Sequence, residues 1–171
     1  MKIKIEKMSI KNLRDIFEFE LENKEYFEKT LLPRPCGYFN YEEFIEIMTE
    51  ILEEQSKHEC LMYIIRDLNG KMVGRVNLTL ISLGSIRKAE IGYRIGEESQ
   101  GKGYATESVK LIMLKGFKEY KLTVFEAGTS TKNIGSQKVL ENNGFKKISK
   151  EEKVMKINGK WIDGYLYEYK E

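Results

Sequence analysis

The segment ESQGKGYATES, residues 98 to 108, sets two glycines and a lysine at the mouth of an apolar-periodic stretch. From Ala105 through Val109, Ile112, Met113 and Gly116 to Tyr120 the apolar positions keep a 3.6-residue period, so Gly101 and Gly103 stand at a helix N-terminus. Such a terminus carries unpaired N–H groups and a partial positive charge. Glycines let those groups close around an anion without side-chain obstruction, and the chemistry implied is capture of a phosphate. Two other phosphate patterns fail: a P-loop needs Ser or Thr after Lys102, where Gly103 stands, and a dinucleotide fingerprint needs glycine where Thr106 stands. A glycine pair by itself also suits a plain strand-to-helix turn.

The elements that must position this loop are legible on both sides of it. The first ten residues suit a strand, and from Leu13 the apolar positions Ile16, Phe17 and Leu21 recur at helical spacing. A second helix is capped by Asn40 with Glu43 as its capping-box partner, and the two prolines fall in the loop LLPRPCGY between these helices. Residues 60 to 66, the Asn69-Gly70 turn and residues 72 to 81 read as a hairpin. The turn-like SLGS then leads to a third strand with Ala89, Ile91, Tyr93 and Ile95 on one face and Glu90, Gly92 and Arg94 on the other. After the long helix come a strand around 122 to 127, a short helix around 133 to 143 ending at Gly144, and a terminal hairpin turning at Asn158-Gly159 with its tyrosines outward.

Composition bounds the partners. The 171 residues and 41% hydrophobic content fit a single domain over 1–171, and 29 basic against 27 acidic residues leave no field calling for nucleic acid. Cys36 and Cys60 form neither a redox pair nor a metal framework, and no metal-ligand cluster is seen. MKIKIEKMSI alternates charge with apolar residues rather than forming a leader, and no run approaches membrane-spanning length, so a cytoplasmic protein is expected.

The pattern as a whole resembles the GNAT superfamily of acyl-CoA-dependent N-acetyltransferases, whose motif Q/R-x-x-G-x-G/A is met by Gln100, Gly103 and Ala105. IGYRIGEESQGKGYATE and NIGSQKVLENNGF are similar to two segments of its RimJ/RimL-type branch, and FELENKEYFE to that branch's substrate-side helices. The resemblance implies an α/β fold with a mixed (α+β) and mostly antiparallel sheet, splayed between its fourth and fifth strands, with helices on both faces. It implies acetyl-CoA as cofactor, its pyrophosphate held by the backbone of Gln100, Gly101, Lys102, Gly103, Tyr104 and Ala105, with Thr106. Its pantetheine arm would pair along Ile95, whose amide would also polarise the thioester carbonyl.

For the transfer, the resemblance implies Glu90 as a base for the amine and Ser136 as the acid for the departing thiolate, with Asn133 bonding the pantetheine. A tyrosine used by many family members as the acid is replaced by Leu140. Other readings of the same residues are a cross-strand ion pair of Glu90 with Arg75, and ordinary helix capping for Asn133 and Ser136. Glu22 and Tyr26, with the PRPCGY loop, form the candidate acceptor pocket, and the acidic FEFELEN stretch suits either a cationic substrate or a solvated helix face. The expected acceptor is a primary amine, first a protein N-terminal α-amine of the ribosomal-protein type. Polyamines, amine antibiotics and a non-catalytic CoA sensor are the alternatives, and a monomer or homodimer is expected. His58 reads as a surface side chain.

Overall fold

The computed structural model describes residues 2–83, 86–157 and 159–170. It opens with β1 (Ile3–Lys7) and three helices, α1 (Leu13–Glu22), α2 (Lys24–Thr30) and α3 (Tyr41–Ser56). The meander β2 (Cys60–Asp67), β3 (Met72–Leu83) and β4 (Ile86–Ile95) follows, then α4 (Tyr104–Tyr120), β5 (Val124–Ser130), α5 (Ile134–Asn142) and the hairpin β6 (Lys146–Ile157) and β7 (Lys160–Lys170). The seven strands form one sheet in the order β1-β2-β3-β4-β5-β7-β6. Among the described residues only β4 and β5 pair in parallel, so the expected mixed, mostly antiparallel sheet is present.

Each face of the sheet buries its own core. Leu61, Val76, Leu78, Ile91, Ile112, Phe125 and Leu140 pack under α4 and α5, while Ile16, Phe19, Phe27, Phe44, Met48 and Ile64 pack under α1 to α3. Strand alternation sends Tyr63 to one core and Ile64 to the other, which is why β2 reads as an unbroken apolar run. Asn40 caps α3 by accepting from the amides of Glu42 (3.0 Å) and Glu43 (3.2 Å), as the sequence predicts.

The differences from expectation lie where distant segments meet. The first helix is two, parted at Asn23, whose side chain donates to Phe19 O (2.8 Å) and accepts from the amide of Glu97 (2.8 Å). This bridge pins the α1–α2 corner to the end of β4. It demands glycine at position 96, since a Cβ there would lie 2.9 Å from Asn23 Oδ1 and 3.0 Å from the Phe19 ring. The outward tyrosine stripe is also corrected. Because β7, not β6, docks beside β5, Tyr167 is fully buried, and Tyr169 packs edge-on to Phe117 and Phe125. β5 starts two residues later than expected, after Lys121 closes α4 in the left-handed conformation. Gly70 makes the first hairpin turn at φ +84°; Gly84 and Ser85 of SLGS, and Asn158 of the last turn, lie outside the described residues.

Phe125, wholly buried between α4 and β7, tests this core. Phe125→Ala is expected to lose about 3–5 kcal/mol of unfolding free energy in urea titration, as for other large-to-small core changes.

Candidate functional site

β4 and β5 pair only from Lys88 to Glu90 against Val124 to Glu126, and the Lys88–Glu126 ion pair (2.6 Å) closes that end. Past Glu90 the strands part. Gly96 donates to Val73 O (3.0 Å) and Gly74 faces Ile95 in the β3–β4 register. Hydrogen bonding alternates along an antiparallel pair, so the backbone groups of Tyr93 and Ile95 turn away from β3 into the gap that β5 has left. An open strand edge therefore lines the cleft.

The glycine loop closes the cleft's mouth. Gly101 and Gly103 take φ of +72° and +81°, a region that favours glycine, and a Cβ on either would project into open space. The Gln100 side chain donates to Ile95 O (2.6 Å), tying the loop to the strand edge. The first intrahelical bond of α4 runs from Glu107 N to Gly103 O (3.1 Å), which leaves the amides of Tyr104, Ala105 and Thr106 without helical partners. Gln100, Gly101, Gly103, Tyr104, Ala105 and Thr106 all line a cavity of about 540 Å³ together with Ile95. A small-side-chain cradle with unpaired amides fits a diphosphate. Lys102 does not line this cavity.

Asn133 and Ser136 reach the same cavity from the far side. Asn133 Oδ1 accepts from the Ser136 amide (2.9 Å), so the capping expected of this pair is present, while Ser136 Oγ shares a 2.7 Å hydrogen bond with the Tyr93 hydroxyl. Burial pushes the Tyr93 phenol up to about 12, against the opposing effect of the Ser136 bond, so it keeps its proton at neutral pH. Leu140, which stands in place of the helix tyrosine, is fully buried. The hydroxyls in the gap come instead from Tyr93 and Ser136. Sequence reasoning placed Tyr93 only as an inward strand residue, and nothing local marked its partner 43 residues away.

A second cavity, of about 330 Å³, shares Tyr93, Arg94, Ser130, Asn133 and Ser136 with the first and extends to Glu90, Arg34 and Arg75. The two are halves of one cleft that meet at the Tyr93–Ser136 bond. Tyr26 lines the larger half, whereas Glu22 is exposed on α1 and lines neither. Glu90 does not pair with Arg75; it stands opposite Thr79 and Glu126. Arg75 instead lies opposite Arg94 and bonds Glu20 (2.9 Å), as do Arg94 (2.9 Å) and Arg34 (2.6 Å). Part of the acidic stretch is thus a buried hub rather than a solvated face. His58 is exposed, and no cluster of metal ligands occurs among the described residues.

Burial opposes ionisation of Glu20, but Arg75, Arg94 and Arg34 outweigh it and hold the carboxyl below the usual carboxylate range. Burial, with Arg34 and Arg75 beside it, lowers Arg94 to about 10, so it stays charged at neutral pH. A carboxyl with a depressed folded pKa lends stability that is complete above the unfolded value and drains as pH falls through the folded one. Glu20→Gln should therefore cost about 3 kcal/mol at pH 7 and flatten the acid limb below about pH 4.5, read by urea unfolding across pH.

A model of the acetyltransferase (GNAT) domain matches residues 2–146. Over 162 residues the chain is 33% identical to the probable N-acetyltransferase YjcK of Bacillus subtilis, covering 94% of this chain and 90% of that protein. Among solved structures it superposes on a ribosomal-protein-S5-alanine acetyltransferase from Vibrio fischeri (TM-score 0.92, 23% identity, 99% of this chain and 93% of that one). It superposes likewise on RimL, a ribosomal L7/L12 α-N-protein acetyltransferase in complex with coenzyme A (0.90, 19%, 99% and 94%). A spermidine N-acetyltransferase from Vibrio cholerae in complex with CoA and spermine is similar at 0.83 and 19% identity, with 99% and 95% covered.

Proposed function

The chain belongs to the GNAT acetyltransferase family, and on that premise we propose that it transfers acetyl from acetyl-CoA to a primary amine, first a protein N-terminal α-amine as in the RimJ/RimL branch. The observation that carries this reading is the convergence of two sets of unsatisfied backbone donors, the first-turn amides of α4 and the free edge of β4, on one cavity. When bound, acetyl-CoA supplies an acetyl group activated as a thioester. The α4 amides and the Gly101–Gly103 cradle take the diphosphate, and the Tyr93 and Ile95 backbone takes the pantetheine as a third-party strand. An amide of that edge also stabilises charge developing on the carbonyl oxygen.

The acceptor enters from the smaller half of the cleft. There Glu90 takes the proton that the ammonium must shed before its nitrogen can attack, directly or through water. As the C–N bond forms and the C–S bond breaks, the departing sulfur needs a proton. Ser136 supplies it and regains one from the nitrogen, which sheds its second proton as the amide forms; the buried Tyr93 phenol, bonded behind the serine, orients its hydroxyl. Asn133 caps α5 and so fixes Ser136, while its side-chain nitrogen bonds the pantetheine. The family's acceptors, protein termini and polyamines among them, share this frame, and the ribosomal-type neighbours support the protein terminus.

Thiol release from acetyl-CoA over peptides, polyamines and aminoglycosides tests the reading; CoA binding without release on any amine would instead mark a sensor. Gly103→Val, which forces a branched side chain to φ +81° and so strains the loop out of its cradle conformation, should weaken CoA binding at least about tenfold by calorimetry. Ser136→Ala should lower kcat about 100-fold with the acetyl-CoA KM little changed, and Tyr93→Phe should lower it less. Unaltered kcat in Ser136→Ala, with chemistry rate-limiting, would reduce Ser136 to a capping residue.

A further inference from the structure

Three guanidiniums meet a single carboxylate at the acceptor side of the cleft, which leaves two positive charges in excess. The arrangement is costly for a purely structural device. Arg75 and Arg94 stand directly opposite each other on β3 and β4, a like-charge pairing that destabilises a sheet, and Glu20 at 1% exposure can offset only part of it. The excess is also accessible. Arg94 gives Glu20 only its Nη1, and Arg34 its Nε and Nη2. Among the described residues no buried side-chain nitrogen or oxygen lacks a partner, so the guanidinium N–H groups not given to Glu20 reach solvent. Both arginines line the smaller half, and Arg94 lines the larger half as well.

Rings hold these two cations in place. Arg94 lies 4.8 Å over the Phe27 ring and Arg34 4.6 Å over the Tyr38 ring, so both are pre-set in orientation. The same cavity carries the opposite sign at its other end. Glu90 is four residues from Arg94 on the same face of β4, roughly 13 Å along the strand at ~3.3 Å per residue.

We propose that this bipolar pocket selects an acceptor bearing an oxyanion, a carboxylate or phosphate, near its reactive amine: ammonium toward Glu90, anion toward Arg94 and Arg34. Resting on the reading above, it names the acceptor as a peptide N-terminus with an acidic side chain at its second or third residue. Polyamines, cationic throughout, are disfavoured by the same charges.

The test measures thiol release by the full-length enzyme with matched peptides beginning Ser-Glu and Ser-Gln, with aminoethyl phosphate against ethanolamine, and with spermidine. The acidic peptide should exceed its amide twin in kcat/KM by about tenfold or more, the scale of a charge-assisted bond. Within Arg94→Gln and Arg34→Gln that ratio should fall toward one, and Arg34→Lys should keep part of it; an internal ratio is not mimicked by general loss of activity. Should these variants fail to fold, added salt should raise the wild-type KM for the acidic peptide but not for its twin. Equal rates for the twins, or spermidine as the best acceptor, overturn the proposal. Preference for aminoethyl phosphate over both peptides upholds the anion site and overturns the protein-terminus reading. If no amine is acetylated, transfer itself is refuted, and calorimetry on the CoA-saturated protein decides the pocket: binding of the acidic peptide alone upholds it, equal or no binding overturns it.

Discussion

Past Glu90, β4 has no neighbour on one side, and a strand edge inside a folded protein cannot leave its N–H and C=O groups idle without cost. The rest of the molecule is arranged around that vacancy in the sheet. α5 and the Tyr93–Ser136 bond bridge the gap at one level, the Gln100 side chain takes the carbonyl of Ile95 at the next, and the glycine loop adds the unpaired amides of α4. What remains exposed is a row of oriented donors in a partly enclosed space. Such donors are worth more there than in water, and their direction is set before any ligand arrives.

Helices α1 and α2 are fixed by a second constraint, the burial of Glu20. A carboxylate this deep is stable only with full pairing, and its partners come from the proline loop, β3 and β4. The α1–α2 corner is thereby tied to the sheet at Glu20 and again at Asn23, whose side chain spans to the backbone of Glu97. Both ties end within a few residues of the cleft. The α1–α2 corner and the end of β4 that leads into the glycine loop are consequently parts of one braced unit, held by hydrogen bonds and ion pairs.

Structures of similar fold in this family carry names with acceptors as unlike as ribosomal proteins and spermidine. The backbone geometry that gathers the cofactor is indifferent to the acceptor, because it uses main-chain donors that any sequence supplies. The smaller half of the cleft is lined by side chains whose charges are divided between Glu90 at one end and arginines at the other, and on the bipolar-pocket proposal the choice of acceptor falls to them. Fold and acceptor are separable for that reason.

The order of elements, the N-terminus of α4 and its glycine cradle, the Asn40 cap and the first hairpin turn were all legible in the chain, since each is set by residues within one or two turns of one another. So was the gathering of Gln100, Gly101 and residues 103 to 106 about one cavity. Glu22 and Lys102 line neither half of the cleft, because neighbours in sequence need not share a face of it. Tyr93 with Ser136, Glu20 with arginines 14, 55 and 74 residues away, and the inward turn of Tyr167 were decided only by tertiary structure. Periodicity fixes which residues share a face of their own element, but a charge or hydroxyl finds its partner only when strands from remote parts of the chain are laid side by side.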